Sequence, residues 1–308
     1  MPLIVIPDDA PPVLGTSPAL GCLARGGEIR YHDTLPGDED RLIERIRDAE
    51  VVVNIRSSSR FTARVLDGAP RLRLISIWGT GTDNIDLPAA ARRGVAVTNT
   101  PGVAARSVAE HALALMLAVA RRIPRMDAGT RAGIWARGQS VELRGKTLGI
   151  VGLGAIGREF ARLGQGIGMR VIAWTVHPDP ALGFTLAERD ELFRTSDVVS
   201  LHLRLTPEMR ASVGAREFGL MKPGAILVNT ARGALVDETA LVEALSSGRI
   251  GGAGLDVFET EPLPAAHPLG RLDNVVLTPH CAGITPEALE AGLQMAVDNV
   301  LAFLREDR

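Results

Sequence analysis

Residues 146–157 read Lys146-Thr-Leu-Gly-Ile-Val-Gly152-Leu-Gly154-Ala-Ile-Gly157. The apolar run Leu148–Val151 leads straight into Gly152-x-Gly154-x-x-Gly157, and a helix-compatible segment follows to about Gly166. A strand, a tight turn and a helix in that order make a cradle for the pyrophosphate of a dinucleotide. Gly152 permits the turn, Gly154 leaves no Cβ between backbone and phosphate, and Gly157 lets the helix lie close to the sheet. The helix start then offers its N–H groups to the anion. With 33 glycines in the chain the spacing alone says little. The strand before it and the helix after it give it weight.

Downstream, the apolar runs Arg170–Trp174, Val198–Leu203, Ala225–Thr230, Gly252–Val257 and Val275–Thr278 alternate with helical segments at 155–166, 187–195 and 239–247. That alternation predicts a doubly wound parallel sheet. Upstream, Leu3–Ile6, Val51–Ile55, Leu72–Ile77 and Val95–Thr98 are short, nearly uniformly apolar runs, as parallel strands buried on both faces require. Asp40–Asp48 and Leu87–Arg93 read as helices between them, and Pro11, Pro12 and Pro18 mark 8–20 as a loop. Pro286–Arg305 reads as a last amphipathic helix that returns to the first domain. Ser107–Ile123 is different: Ser107 with Glu110 suggests a capping box, and the residues after it are apolar around the whole circumference. Such a helix must be covered on every side, by the two domains, by a second copy of the chain, or by both; a homodimer is expected.

The bulk numbers exclude several classes. A net charge of −2 points to neither nucleic acid nor an anionic membrane surface as a partner. The longest apolar run, Ala112–Ala120, is too short to span a bilayer, and no signal-like segment opens the chain. Two cysteines, Cys22 and Cys281, supply neither a disulfide framework nor metal spacing, which fits a reducing cytoplasm.

Ligands of open α/β sheets bind beyond the carboxyl ends of the strands. The polar residues that fall there are few: Arg232, Asp256 with Glu259 and Glu261 after it, and His280; upstream, Arg56-Ser57 and Gly79-Thr80-Gly81. Hydride reduction of a 2-oxo acid needs a cation for the carboxylate and ketone, and a proton donor titrating near neutrality, for which His is the nearest side chain. A carboxylate beside that imidazole fixes its tautomer and favours its charged form. Arg232, His280 and Glu261 supply such a set, and the amides of Gly79–Gly81 form a possible nest for the substrate carboxylate. His32, His111, His177, His202 and His267 read as structural, and Glu259 as solvated.

The motifs Gly79-Thr-Gly-Thr-Asp-Asn-Ile-Asp86, Gly152-x-Gly154-x-x-Gly157, Asn229-Thr-Ala-Arg-Gly-Ala-Leu-Val-Asp-Glu238, Leu255-Asp-Val-Phe-Glu-Thr-Glu-Pro262 and Thr278-Pro-His-Cys-Ala-Gly283 together resemble the D-isomer-specific 2-hydroxyacid dehydrogenases, in that family's order. The resemblance implies a Rossmann nucleotide-binding domain (101–279) inserted into a flavodoxin-like substrate domain (1–100 and 280–308). It implies a nicotinamide cofactor, NAD or NADP, and a homodimer built largely on the long helix. By the same likeness Arg232 binds substrate, His280 is the acid/base and Glu261 its partner. Thr80, Ala155, Ile156, Thr230, Ala231, Asp256, Ala282 and Gly283 would contact cofactor, and Arg56, Gly79, Thr80 and Gly81 would line the substrate pocket. A 3-phosphoglycerate-type substrate suits Arg56 and its neighbouring serines. Glu261 argues against a formate dehydrogenase, which pairs its histidine with glutamine, and the intact set argues against a corepressor-like NAD(H) sensor.

The chain departs from the pattern at Thr175, where relatives carry an acidic residue for the adenosine ribose. Asp179 lies between Pro178 and Pro180, and no arginine follows until Arg189, so neither cofactor is clearly selected; NAD is slightly favoured. Arg204 stands two residues after His202, where relatives often have proline. Cys281 reads as a packing residue.

Overall fold

Residues 1–135 and 137–306 are described in the computed structural model. They divide into two units, residues 1–104 with the chain from Thr285 onward, and Ala105–Ile284. The sequence places the division at 100/101 and 279/280, and the two differ most at His280. His280 N donates to Asp256 O at 2.8 Å, which keeps the histidine with the second unit.

The first unit contains β1 (Leu3–Ile6), α1 (Pro18–Leu23), β2 (Glu28–Tyr31), α2 (Glu39–Ile46), β3 (Val51–Asn54), α3 (Ala63–Asp67), β4 (Leu74–Ile77), α4 (Leu87–Arg92) and β5 (Ala96–Thr98). Its strands form a five-stranded parallel sheet in the order β2-β1-β3-β4-β5. That is the doubly wound order of flavodoxin-like folds. Both faces are covered. Leu42, Ile46, Val65 and Ala89 pack on one side, and Leu23 with residues of the last helix on the other.

The second unit contains α5 (Ala105–Ala120), α6 (Ile123–Arg131), β6 (Thr147–Val151), α7 (Ala155–Gly166), β7 (Arg170–Trp174), β8 (Thr185–Leu186), α8 (Arg189–Thr195), β9 (Val198–Leu201), α9 (Ala215–Leu220), β10 (Ile226–Asn229), α10 (Glu238–Ser246), β11 (Gly252–Leu255) and β12 (Val275–Leu277). Its seven parallel strands run β12-β11-β10-β9-β6-β7-β8. The strand order reverses between β6 and β9, so the crevice of a Rossmann sheet opens at the carboxyl end of β6. The final helix, α11 (Pro286–Glu306), belongs to the first unit: Leu293, Val297 and Val300 are buried against Leu74, Val51 and Leu23.

Several local expectations change. α5 begins at Ala105, not at Ser107, so the Ser107/Glu110 capping box does not form. Ala105 is 7% exposed, and its burial starts the helix two residues early. The helix also stops before Ile123: Arg122 takes a left-handed conformation (φ 53°) and α6 begins after it. α5 lies close on the sheet because Gly252 and Gly254 lack side chains, since added Cβ atoms would sit 2.7 Å from Val119 Cγ1 and 2.8 Å from Leu115 Cβ. Within the stretch expected to be loop, Pro18 opens α1, with Ser17 accepting from Ala19 N. No helix among the described residues is long and apolar enough to cross a membrane.

Candidate active site

The β6–α7 turn has the glycine geometry that its sequence requires. Gly152 has φ 103°, and a Cβ on it would meet the His202 carbonyl oxygen at 2.6 Å. A Cβ on Gly157 would lie 2.1 Å from Gly152 O. Gly154 differs: it is the N-cap of α7, makes no side-chain cap, and a Cβ there would meet nothing within 4 Å. The open space therefore lies where the N–H groups of Ala155, Ile156 and Gly157 emerge, at the positive end of a twelve-residue helix. At the end of β10, Thr230 Oγ1 is buried without a hydrogen-bond partner. A buried hydroxyl of that kind at a strand end is a donor that a bound ligand would satisfy. Ala231 N donates to Asn229 Oδ1 at 3.0 Å. Thr175 follows β7, half-buried, with Val176 and His177 exposed beyond it. The donor set and the space fit a dinucleotide.

His202, just past β9, faces this region as a neutral ring. Its Nε2 lies 2.9 Å from Ser200 Oγ, its ring centroid is 5.3 Å from that of Phe160, and burial pushes its pKa down to about 3. Arg204 beyond it is exposed.

Asp256, next after β11 and 1% exposed, organises the loop past β12. Its Oδ1 accepts from Thr278 Oγ1 at 2.6 Å and from Cys281 N at 2.9 Å, and its Oδ2 accepts from Ala282 N at 2.8 Å. His280 is thereby held with φ 52°, a left-handed conformation rare outside glycine. Gly283 follows, half-buried. The His280 Nδ1 lies 2.7 Å from Glu261 Oε2, and Glu261 Oε1 accepts from Phe258 N at 3.0 Å. Burial alone would raise the Glu261 carboxyl, but His280, the Phe258 N–H and the Arg232 charge together hold it below the usual range. An ionised Glu261 is an acceptor only, so His280 Nδ1 carries the proton and Nε2 is left for exchange with a ligand. Arg232 stands after β10, half-buried, with Nη1 donating to Ala231 O at 2.8 Å. Arg232, Glu261 and His280 thus follow the carboxyl ends of β10, β11 and β12, with His280 and Glu261 in contact and the Arg232 charge acting on Glu261.

One neighbour was not anticipated. His111 on α5, read from the sequence as structural, places Nε2 2.9 Å from Thr278 Oγ1 and 3.6 Å from Asp256 Oδ1. Its only sequence signal was a polar residue at the edge of an apolar helix. His111, Asp256 and Cys281 bring potential ligand atoms within 4.8 Å of one another, but the carboxylate is already engaged by its donors. Burial and the Asp256 charge raise the Cys281 thiol, which leaves it protonated and unreactive. A cavity of about 340 Å³ in this unit, lined by Val119, Arg122, Arg125 and Asn274, lies at the opposite, amino-terminal end of the strands.

In the first unit, Arg56 follows β3 and Gly79, Thr80 and Gly81 follow β4, also at carboxyl ends. Gly79, at φ 137°, donates from N to Thr100 Oγ1 at 2.8 Å, and Thr80 O accepts from Asn99 Nδ2 at 2.7 Å. Asp8 is fully buried beneath Arg56 and accepts from Ile55 N at 2.9 Å and Arg56 N at 3.2 Å. Burial raises the Asp8 carboxyl, against the pull of those donors.

The family model for the D-isomer specific 2-hydroxyacid dehydrogenase NAD binding domain matches residues 113–282. A glyoxylate reductase of Thermococcus litoralis is 42% identical over 277 residues, covering 86% of this chain and 83% of its own. A D-3-phosphoglycerate dehydrogenase of Methanocaldococcus jannaschii is 41% identical over 298 residues, 93% of this chain but 55% of the longer relative. Among solved structures, D-lactate dehydrogenase from Aquifex aeolicus, complexed with NAD and lactic acid, superposes with a TM-score of 0.87 at 30% identity, covering 99% of this chain and 96% of that one.

Proposed function

Because the chain belongs to the D-isomer-specific 2-hydroxyacid dehydrogenases, we propose that it interconverts a small 2-oxo acid and the D-2-hydroxy acid, with a nicotinamide cofactor. The observation that carries this is the 2.7 Å contact of His280 with Glu261, whose carboxylate also feels the charge of Arg232. In the reductive direction Arg232 grips the substrate carboxylate and polarises its carbonyl, while His280 delivers a proton from Nε2 to the carbonyl oxygen. Glu261 holds the Nδ1 proton and favours the charged ring. When bound, the reduced nicotinamide supplies the hydride. Gly152, Gly154, Ala155, Ile156 and Gly157 would hold its pyrophosphate, Thr175 would face the adenosine ribose, and Asp256 its carboxamide. Thr230, Ala231, Ala282, Gly283 and Thr80 complete the proposed cofactor contacts. In oxidation the same histidine is the base.

NAD is favoured over NADP, since no arginine stands at 175–177 to hold a 2′-phosphate. Arg56, Gly79, Thr80 and Gly81 are assigned to substrate by family likeness. Ile123, Ile134 and Trp135, 55%, 59% and 76% exposed, form apolar surface that a second copy of the chain would cover in a cytoplasmic homodimer. Light scattering on the purified protein tests the dimer. Turnover linked to NADH and to NADPH against glyoxylate, hydroxypyruvate, pyruvate and 3-phosphohydroxypyruvate tests the activity. Unchanged turnover in His280→Ala or Arg232→Ala would refute the assigned roles.

A further inference from the structure

The loop from Val257 to His267 carries Glu261, and its shape decides whether that carboxylate reaches His280. Gly233, next to Arg232, meets the loop first: a Cβ there would lie 1.9 Å from the Phe258 carbonyl carbon and 2.5 Å from Glu259 N. The Phe258–Glu259 peptide therefore lies directly on Gly233, and Phe258 N is the donor that holds Glu261 Oε1. Glu238, the first residue of α10, meets the loop twice. Its Oε2 accepts from Glu259 N at 3.3 Å, and its Oε1 lies 2.9 Å from His267 Nε2. His267 Nδ1 accepts from Leu269 N at 3.3 Å, so Nε2 is the ring nitrogen that donates to Glu238. These two side chains are only 17% and 19% exposed, whereas the loop's outer ion pair, Arg210 with Glu259, is 59% and 50% exposed and weakly held. Capping of α10 falls to another residue, Asp237, which accepts from Ala240 N at 3.0 Å.

We propose that Glu238 is a positioning residue: by bridging Glu259 N and His267 Nε2 it fixes the loop that sets Glu261 against His280. The proposal rests on the acid–base reading of that pair. It extends the site by a second carboxylate–imidazole contact that touches neither substrate nor cofactor.

The test compares Glu261→Gln, Glu238→Ala and Glu238→Gln with the unaltered protein. The first readout is the His280 Nδ1 proton in nitrogen-edited NMR of the cofactor-free protein, a signal that needs no turnover. The second is kcat against pH with the best 2-oxo acid. In Glu261→Gln that proton loses its charged acceptor, and its signal moves furthest upfield. In Glu238→Ala it moves upfield as the bond to Glu261 lengthens, and in Glu238→Gln it moves less, because one of two acceptor oxygens remains. The basic limb of kcat shifts to lower pH in the same order, while cofactor KM stays within about twofold. A Glu238→Ala protein that melts earlier yet keeps the signal and the limb in place would reduce Glu238 to helix support and overturn the proposal. If that variant does not fold, Glu238→Gln decides by the same two readouts. An unmoved signal in Glu261→Gln refutes the acid–base pair itself, a failure distinguishable from that of the clamp.

Discussion

Replacing Glu261 by Gln removes one negative charge and leaves a single acceptor oxygen for two donors, Phe258 N and His280 Nδ1. The pair is 2.7 Å long, with His280 38% and Glu261 34% exposed, so solvent screens it in part. A fully exposed ion pair contributes about 0–1 kcal/mol, and a hydrogen bond to a charged group about 1.5–3 kcal/mol. A value of about 1.4 kcal/mol lies between them and corresponds to roughly a tenfold change in rate. Reduction consumes the charged imidazole, and loss of the carboxylate disfavours that form. Reduction should therefore slow by about tenfold toward the basic end of its pH range, the effect of losing about 1.4 kcal/mol. Oxidation needs the neutral ring, so its acidic limb moves down, and oxidation gains at low pH. Stability follows a separate sign. The folded Glu261 carboxyl is depressed, so its stabilising contribution is present above the ordinary glutamate range and fades as pH falls through the folded value. The assay is initial rate against pH in both directions, alongside thermal melts at matched pH. Limbs that stay in place while kcat falls would show that Glu261 does not act through His280.

Gly154→Ala meets nothing within 4 Å and should cost only the roughly 0.5–1 kcal/mol of a poorer N-cap, yet weaken NADH binding by about tenfold or more. Gly157→Ala puts a Cβ 2.1 Å from Gly152 O and should cost about 1–3 kcal/mol of stability in denaturant melts; similar behaviour of the two variants would reject the cradle. Thr175→Asp should raise the NADH over NADPH preference by roughly tenfold, the effect of about 1.4 kcal/mol of repulsion against a 2′-phosphate, read as a ratio of kcat/KM values. Asp256→Asn turns an amide N–H toward backbone donors at Cys281 or Ala282 and should destabilise by about 1–3 kcal/mol in urea titration.

Both sheets were legible because their central strands are continuous apolar runs buried on two faces; β3, β4, β6, β9 and β10 show this in their burial. Edge strands were not. Glu28–Tyr31 alternates exposed and half-buried residues, and Thr185–Leu186 is too short to carry a pattern. The start of α5 was misplaced because Ser107 and Glu110 give a strong local signal, which packing at Ala105 overrides. That Arg232, Glu261 and His280 follow strand ends was readable from the apolar runs before them. His111 and the Glu238–His267 contact were not, because each depends on which face a helix or loop turns toward a residue distant in the chain.

The left-handed backbone at His280 sets folding and chemistry against each other. Glycine would relax into that conformation freely, and asparagine with less complaint than an imidazole. The chain nevertheless keeps a ring there, pinned from behind by the Asp256 carbonyl and from the side by Glu261. Selection for stability alone would be expected to erase this histidine. Random libraries sorted only for thermal tolerance should drift at position 280 toward small or flexible residues, and the drift should stop once turnover is also demanded.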